Sequence, residues 1–194
     1  MITSVYFIRH AQSDRSFHDE YTRPLTAEGI NDTEKITLAL KERGITHILS
    51  SPYTRTLQTV QGLSKALALE IETDDGFRER NAGKWDGDKF FDFIRKQWED
   101  FDYRIEGGES LREVQERNVK ALNKYLKKYK GHTIAAATHG TALSTIINYF
   151  FPEYGYEEFL KIADLMPFVL KMDFDDSRHC IKAEKILSVK KTYK

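Results

Sequence analysis

Ser4-Val5-Tyr6-Phe7-Ile8-Arg9-His10-Ala11-Gln12-Ser13 is the stretch on which the fold turns. Val5 to Ile8 is a continuous apolar run of β-formers that meets a charge at Arg9. It reads as a short strand buried on both faces, the habit of strands in parallel sheets. After a polar loop, Thr26 suits the N-cap of a helix with Ile30, Thr33, Ile36, Thr37 and Leu40 on one side and Gly44 as its C′ residue. The order then recurs. His47 to Ser50 reads as a strand, and Ser51-Pro52 as N-cap and first position of a helix carrying Leu57, Val60, Leu63 and Leu67. Thr133 to Thr138 is a third apolar strand, leading through His139-Gly140 into a helix over Ala142 to Phe150 that stops at Pro152.

Glu70 to Thr73 suits a short strand before the Asp74-Asp75-Gly76 turn, and Phe77 to Gly87 a charged loop. Ser110 and Glu113 form a capping box for a long helix with Leu111, Val114, Ala121, Leu122, Tyr125 and Tyr129 on its apolar face, ending at Gly131. Phe168 to Phe174 and Cys180 to Leu187 read as a hairpin turning at Asp175 to Arg178. Strands alternating with helices imply right-handed crossovers. The expectation is an α/β fold, a three-layer α/β/α sandwich whose mostly parallel sheet has helices on both faces and an antiparallel C-terminal edge. One domain over residues 1–194 is expected, with a helical, lid-like insertion at about 85–110.

Composition bounds the partners. Thirty Lys plus Arg balance 30 Asp plus Glu over 194 residues. With no global field, neither nucleic acid nor an anionic membrane is an expected partner, and an anion must be met by a local pocket. No apolar stretch approaches the roughly 18 residues that span a bilayer, and Val5 to Ile8 is too short for a signal-peptide core. One cysteine, Cys180, excludes an internal disulfide and a thiolate zinc site. The expected location is cytoplasmic; a homodimer is compatible but not derivable.

Ligands of such sheets bind beyond the carboxyl ends of the strands. Those positions hold Arg9-His10, Ser51 to Arg55, and His139-Gly140. Arginine is a planar fork suited to phosphate, and Arg55 falls in the first turn of a helix, whose free N–H groups also favour an anion. Positive neighbours disfavour protonated histidine, so at least one imidazole stays neutral and nucleophilic near pH 7. Phosphoryl transfer then lacks only an acid for the leaving group, which a carboxyl must supply.

These residues resemble the histidine phosphatase superfamily, which includes phosphoglycerate mutases and small-molecule phosphatases. Matching motifs are Arg9-His10-Ala11-Gln12-Ser13, Ser50 to Thr59, Glu79 ahead of Gly83-Lys84-Trp85-Asp86-Gly87, and Thr138-His139-Gly140, with Gly107-Gly108-Glu109-Ser110 similar to the family's substrate-side loop. The resemblance implies that His10 takes the phosphoryl group, that Arg9, Arg55 and His139 hold its oxygens, and that Glu79 is the proton donor. Gly140 joins them in binding substrate. It implies no metal and no cofactor. Ala11 stands where the family usually has glycine, which requires a backbone without positive φ. The asparagine often found after the first motif is missing, and Ser13 is the expected substitute contact.

The expected activity is hydrolysis of small phosphomonoesters through phosphohistidine. A phosphoglycerate mutase is the alternative, disfavoured because 194 residues leave little room for water-excluding segments; a non-catalytic phospholigand-binding module is the third reading. Between Trp85 and Tyr103, seven of 19 residues are aromatic. Phe91, Ile94 and Trp98 suit a short helix, and the segment is either a lid that shapes substrate choice or, more simply, a packed insertion. His18, His47, His132 and His179 lie away from the strand ends and carry no assigned chemistry.

Overall fold

The computed structural model describes residues 1–84 and 90–191. A six-stranded sheet is built from β1 (Thr3–Arg9), β2 (His47–Ser50), β3 (Ile71–Thr73), β4 (Thr133–Thr138), β5 (Leu165–Phe174) and β6 (Cys180–Lys190), in the spatial order β3-β2-β4-β1-β5-β6. The first four run parallel, and β5 and β6 are antiparallel to their neighbours. The expected α/β sandwich with an antiparallel C-terminal edge is the fold observed.

Alternation along the central strands explains the layers. Val5 and Phe7 of β1 and Ile134 and Ala136 of β4 face a core completed by Leu122, Tyr125, Leu143 and Ile146. These come from α4 (Leu111–Lys128) and α5 (Gly140–Phe150). Tyr6, Ile8, Ala135 and Ala137 face the other way, onto Ile36, Leu40, Val60 and Leu63. That layer is α1 (Ala27–Leu40) and α2 (Thr54–Leu67). A strand covered on both sides has no polar face, which is why β1 and β4 read as unbroken apolar runs.

Three helices depart from their sequence reading. In α1 the buried residues are Gly29, Asp32, Ile36 and Leu40, while Ile30 is 44% exposed. A Cβ on Gly29 would lie 2.2 Å from the Gln12 carbonyl oxygen, so this face must be bare to meet the loop after β1. Asp32 is inward because Lys191 pairs with it. The helix also ends at Leu40, so Gly44, at φ +67°, sits beyond its C′ position. Helix α2 starts at Thr54, with Tyr53 rather than Ser51 as N-cap. Ser51 is engaged elsewhere: its N–H donates to Ala137 O at 2.9 Å, and its hydroxyl lies 2.9 Å from His139 Nε2.

In α3 (Phe90–Glu99), Phe93, Ile94 and Gln97 are buried, whereas Phe91 is 65% exposed. Gln97 turns the helix, because its Nε2 donates to Tyr103 O and Glu109 O, both at 3.0 Å. Phe93 and Ile94 pack on Phe159 of α6 (Tyr156–Ile162), a helix absent from the sequence reading, with Trp98 5.7 Å from the Phe159 ring. The aromatic segment thus builds a small third core beside the sandwich. Its first residues, Trp85 to Lys89, lie outside the described residues.

Candidate active site

Register places the two site histidines. Arg9 pairs with Thr138 across the parallel strands β1 and β4, so the next residue of each chain segment, His10 and His139, emerges at the same level. The His10 N–H donates to Thr138 O at 3.1 Å, and the two imidazole centroids stand 5.3 Å apart, edge to face. Ser51 leaves β2 on the far side of β4, beside His139. Three neighbouring strand ends therefore deliver His10, His139 and the turn into Arg55 to one place.

Both rings are buried. Burial pushes their pKa values well below the ordinary histidine value, and Arg55 adds to this at both; Arg9 does so more weakly. His10 Nδ1 lies 2.7 Å from the Ala11 carbonyl oxygen. A carbonyl only accepts, so Nδ1 carries the proton and Nε2 keeps the lone pair. On His139, Nε2 faces the Ser51 hydroxyl, and Nδ1 is buried without a hydrogen-bond partner among the described residues.

The arginines are held by backbone oxygens. Arg9 donates from Nη1 to Ile162 O and, at 3.2 Å, to Leu165 O, and from Nη2 to Ala163 O at 3.1 Å, so the end of α6 anchors it. Gly140 lets this guanidinium lie close: a Cβ there would be 3.1 Å from Arg9 Cζ. Arg55, buried in the first turn of α2, donates from Nη1 to Glu20 O at 2.6 Å and pairs through Nη2 with the Glu20 carboxylate at 3.0 Å. Its guanidinium also lies over the Tyr53 ring, which contacts His139 at a centroid distance of 5.0 Å.

Glu79 reaches the same corner from another direction. Its Oε2 accepts from Thr141 N and its Oε1 from Ala142 N, both at 3.1 Å, at the N-terminus of α5 just past His139; Arg80 N also donates to Oε1 at 2.8 Å. The flanking arginines face elsewhere, as an extended segment requires. Arg78 forms a two-pronged pair with Glu109, which also binds Arg117 and Asn81 N, and Arg80 lies over the Phe93 ring. Glu109, from the Gly107-Gly108-Glu109-Ser110 motif, thus fastens the strand of chain that carries Glu79. Gly83 and Lys84 of the next motif are described, while Trp85, Asp86 and Gly87 are not.

Ala11 fits as anticipated: it is fully buried, is absent from the positive-φ residues, and donates its N–H to Thr59 Oγ1 at 3.1 Å. Ser13 is half-buried in a backbone bridge with Leu25, which ties the loop after β1 to the residues before α1. Sequence reasoning missed Tyr53 and Ser51 as neighbours of His139, the α6 carbonyls behind Arg9, and Glu20 and Arg23 beside Arg55. Tyr53 and Ser51 belong to a recognised motif; Glu20 and Arg23 lie in a polar loop with no periodicity to mark them.

The model of the histidine phosphatase superfamily (branch 1) matches residues 5–182. A protein named "Probable phosphoglycerate mutase GpmB", from Escherichia fergusonii, is 31% identical over 157 residues, 74% of this chain and 73% of the relative. Among solved structures, YhfR of Bacillus stearothermophilus superposes with a TM-score of 0.75 at 23% identity, over 92% of this chain and 94% of that one. A phosphoserine phosphatase from Entamoeba histolytica, solved with phosphoserine, gives 0.74 at 20% identity over 96% of each chain. With its strand-end histidines in place and nearly its whole length matched, the chain belongs to the histidine phosphatase superfamily, branch 1.

Proposed function

We propose that the protein hydrolyses small phosphomonoesters by way of a phosphohistidine at His10. The observation that carries this reading is the 2.7 Å contact of His10 Nδ1 with Ala11 O, which assigns the proton to Nδ1 and leaves the Nε2 lone pair in a cationic pocket beside His139. Nε2 attacks phosphorus, forming the N–P bond as the ester O–P bond breaks, and a proton from Glu79 goes to the departing oxygen. Water then attacks the phosphohistidine, giving its proton to Glu79 and releasing inorganic phosphate. Arg9, Arg55 and the helix N-terminus at Gly140 stabilise the equatorial oxygens. If the Ser51 hydroxyl donates to His139 Nε2, the buried His139 Nδ1–H is one more donor for a phosphoryl oxygen. Ser13 is retained as a substrate contact.

Water as acceptor is supported by the packing of α3. Its apolar side is engaged by α6, as expected of a packed insertion, the simpler reading of this segment. Transfer within a phosphoglycerate is the second reading, favoured by the name of the 31% identical relative. Supplying phosphoglycerate with a bisphosphoglycerate primer separates the two: hydrolysis releases free phosphate, whereas isomerisation without free phosphate overturns the proposal. A phosphomonoester panel tests the substrate class, and binding without turnover across it would leave only a phospholigand-binding module.

A further inference from the structure

Beyond the family's own residues, the loop between β1 and α1 brings a third arginine to the pocket. Arg23 precedes Pro24-Leu25 at the end of that loop, and its side chain is only 18% exposed. Its Nε donates to Phe17 O at 2.8 Å, and its Nη2 pairs with Glu20 at 2.8 Å. Glu20 uses one oxygen for Arg23 and the other for Arg55, so a single carboxylate holds both guanidinium groups. The Arg23 charge also bears on Arg55 and, more weakly than Arg55 or Arg9 does, on His10. Two short turns make the loop rigid enough for this: Asp14 accepts from Ser16 N and Asp19 from Thr22 N.

The arrangement is that of an anion between two forks. A carboxylate bridging two arginines occupies the geometry that phosphoryl oxygens would take. Two of Arg23's five N–H donors serve the loop, which leaves the fork able to reach a phosphoryl oxygen. Glu20 itself is 55% exposed and sits in water, where the pair it makes is weak and a dianion competes well. One carboxylate cannot neutralise two guanidiniums, so a positive charge remains at the mouth of the pocket.

We propose that Arg23 is a third phosphate-binding arginine of this site, with Glu20 as the group that holds Arg23 and Arg55 in position until phosphate arrives. This rests on the His10 pocket being a phosphate site. The test reads inorganic phosphate binding by titration calorimetry, with initial rates on p-nitrophenyl phosphate beside it. Arg23→Gln is expected to weaken phosphate binding by about 10- to 100-fold, the usual effect of losing a charged hydrogen bond, and to raise KM similarly with a smaller change in kcat. Arg23→Lys should recover part of the loss.

Glu20→Gln cuts the tether but keeps both arginines, and phosphate binding should hold or tighten. Equal losses in Arg23→Gln and Glu20→Gln would show that Arg23 only fastens the loop, and would overturn the proposal, as would unchanged binding in Arg23→Gln. Circular dichroism identifies a variant that has failed to fold; if Arg23→Gln does so, Arg23→Lys decides, phosphate affinity within about 10-fold of wild type supporting a cation at this position and a larger loss overturning the proposal. Wild-type protein that binds no phosphate at all would instead count against the site reading itself.

Discussion

Burial, more than the neighbouring arginines, keeps His10 neutral, and this sets its acid limit. The pKa of His10 is displaced well below the ordinary histidine value, so the Nε2 lone pair persists as pH falls through about 6.5. The pH–rate profile for p-nitrophenyl phosphate should therefore show its acid limb only below that value; an acid limb centred at or above it would contradict the assignment. His10→Ala should reduce kcat by about 10⁴-fold or more while the circular dichroism spectrum is unchanged. Residual turnover near wild type would remove His10 from the chemistry. The positive charges beside the histidines were legible from strand-end positions, but desolvation, the larger cause, was not, because covering the pocket takes residues from distant elements.

Among the elements, the segment bearing Glu79 depends on Glu109. Glu109 binds Arg78 through both oxygens and reaches Arg117 and Asn81 N, so one carboxylate spans the approach to Glu79, the proposed proton donor, and the side of α4. Glu109→Gln should lower stability by about 2 kcal/mol, measured by urea denaturation, and reduce kcat more than it raises KM. An unaltered kcat would mean Glu79 is placed by the α5 amides alone. Helix α6 has a comparable role toward Arg9. Phe159→Ala, which opens the small core under it, should cost about 3 kcal/mol and weaken phosphate binding as well; intact binding in a folded variant would separate α6 from the site.

Element reading from sequence succeeded where one physical signal ruled. Strands β2 and β4 begin and end where their apolar runs do, and Ser110 with Glu113 forms the expected capping box. It slipped where a tertiary contact overrode local preference. Ser51 would cap α2 by propensity but serves His139, and α3 turns inward on Gln97 because two carbonyls need its amide. Helix α6 escaped notice since its seven residues hold too little periodicity to stand out.

Across the whole molecule, burying two neutral histidines couples the fold to pH. Each has a folded-state pKa below its unfolded value, so the unfolded chain binds more protons in acid and stability falls as pH drops. The decline should begin near pH 6.5 and continue to the depressed folded values, at up to about 1.4 kcal/mol per pH unit for each ring. Denaturation midpoints across that window should flatten in His139→Gln relative to wild type; parallel curves would contradict the linkage. The topology that creates this cost is the one that creates the site, since Arg9 and Thr138 in register leave no other level for the two rings. Sequence could state the α/β alternation and the strand-end rule, yet only pairing order β2-β4-β1 decides which ends are neighbours.

Trapping the intermediate is the decisive measurement. Rapid quench of the protein with a phosphomonoester under alkaline conditions, followed by peptide mass spectrometry and ³¹P NMR, should find a base-stable, acid-labile phosphoryl group on Nε2 of His10. No phosphoprotein during active turnover, or phosphate carried by His139 or by Nδ1 of His10, would mean that the chemistry runs by another route.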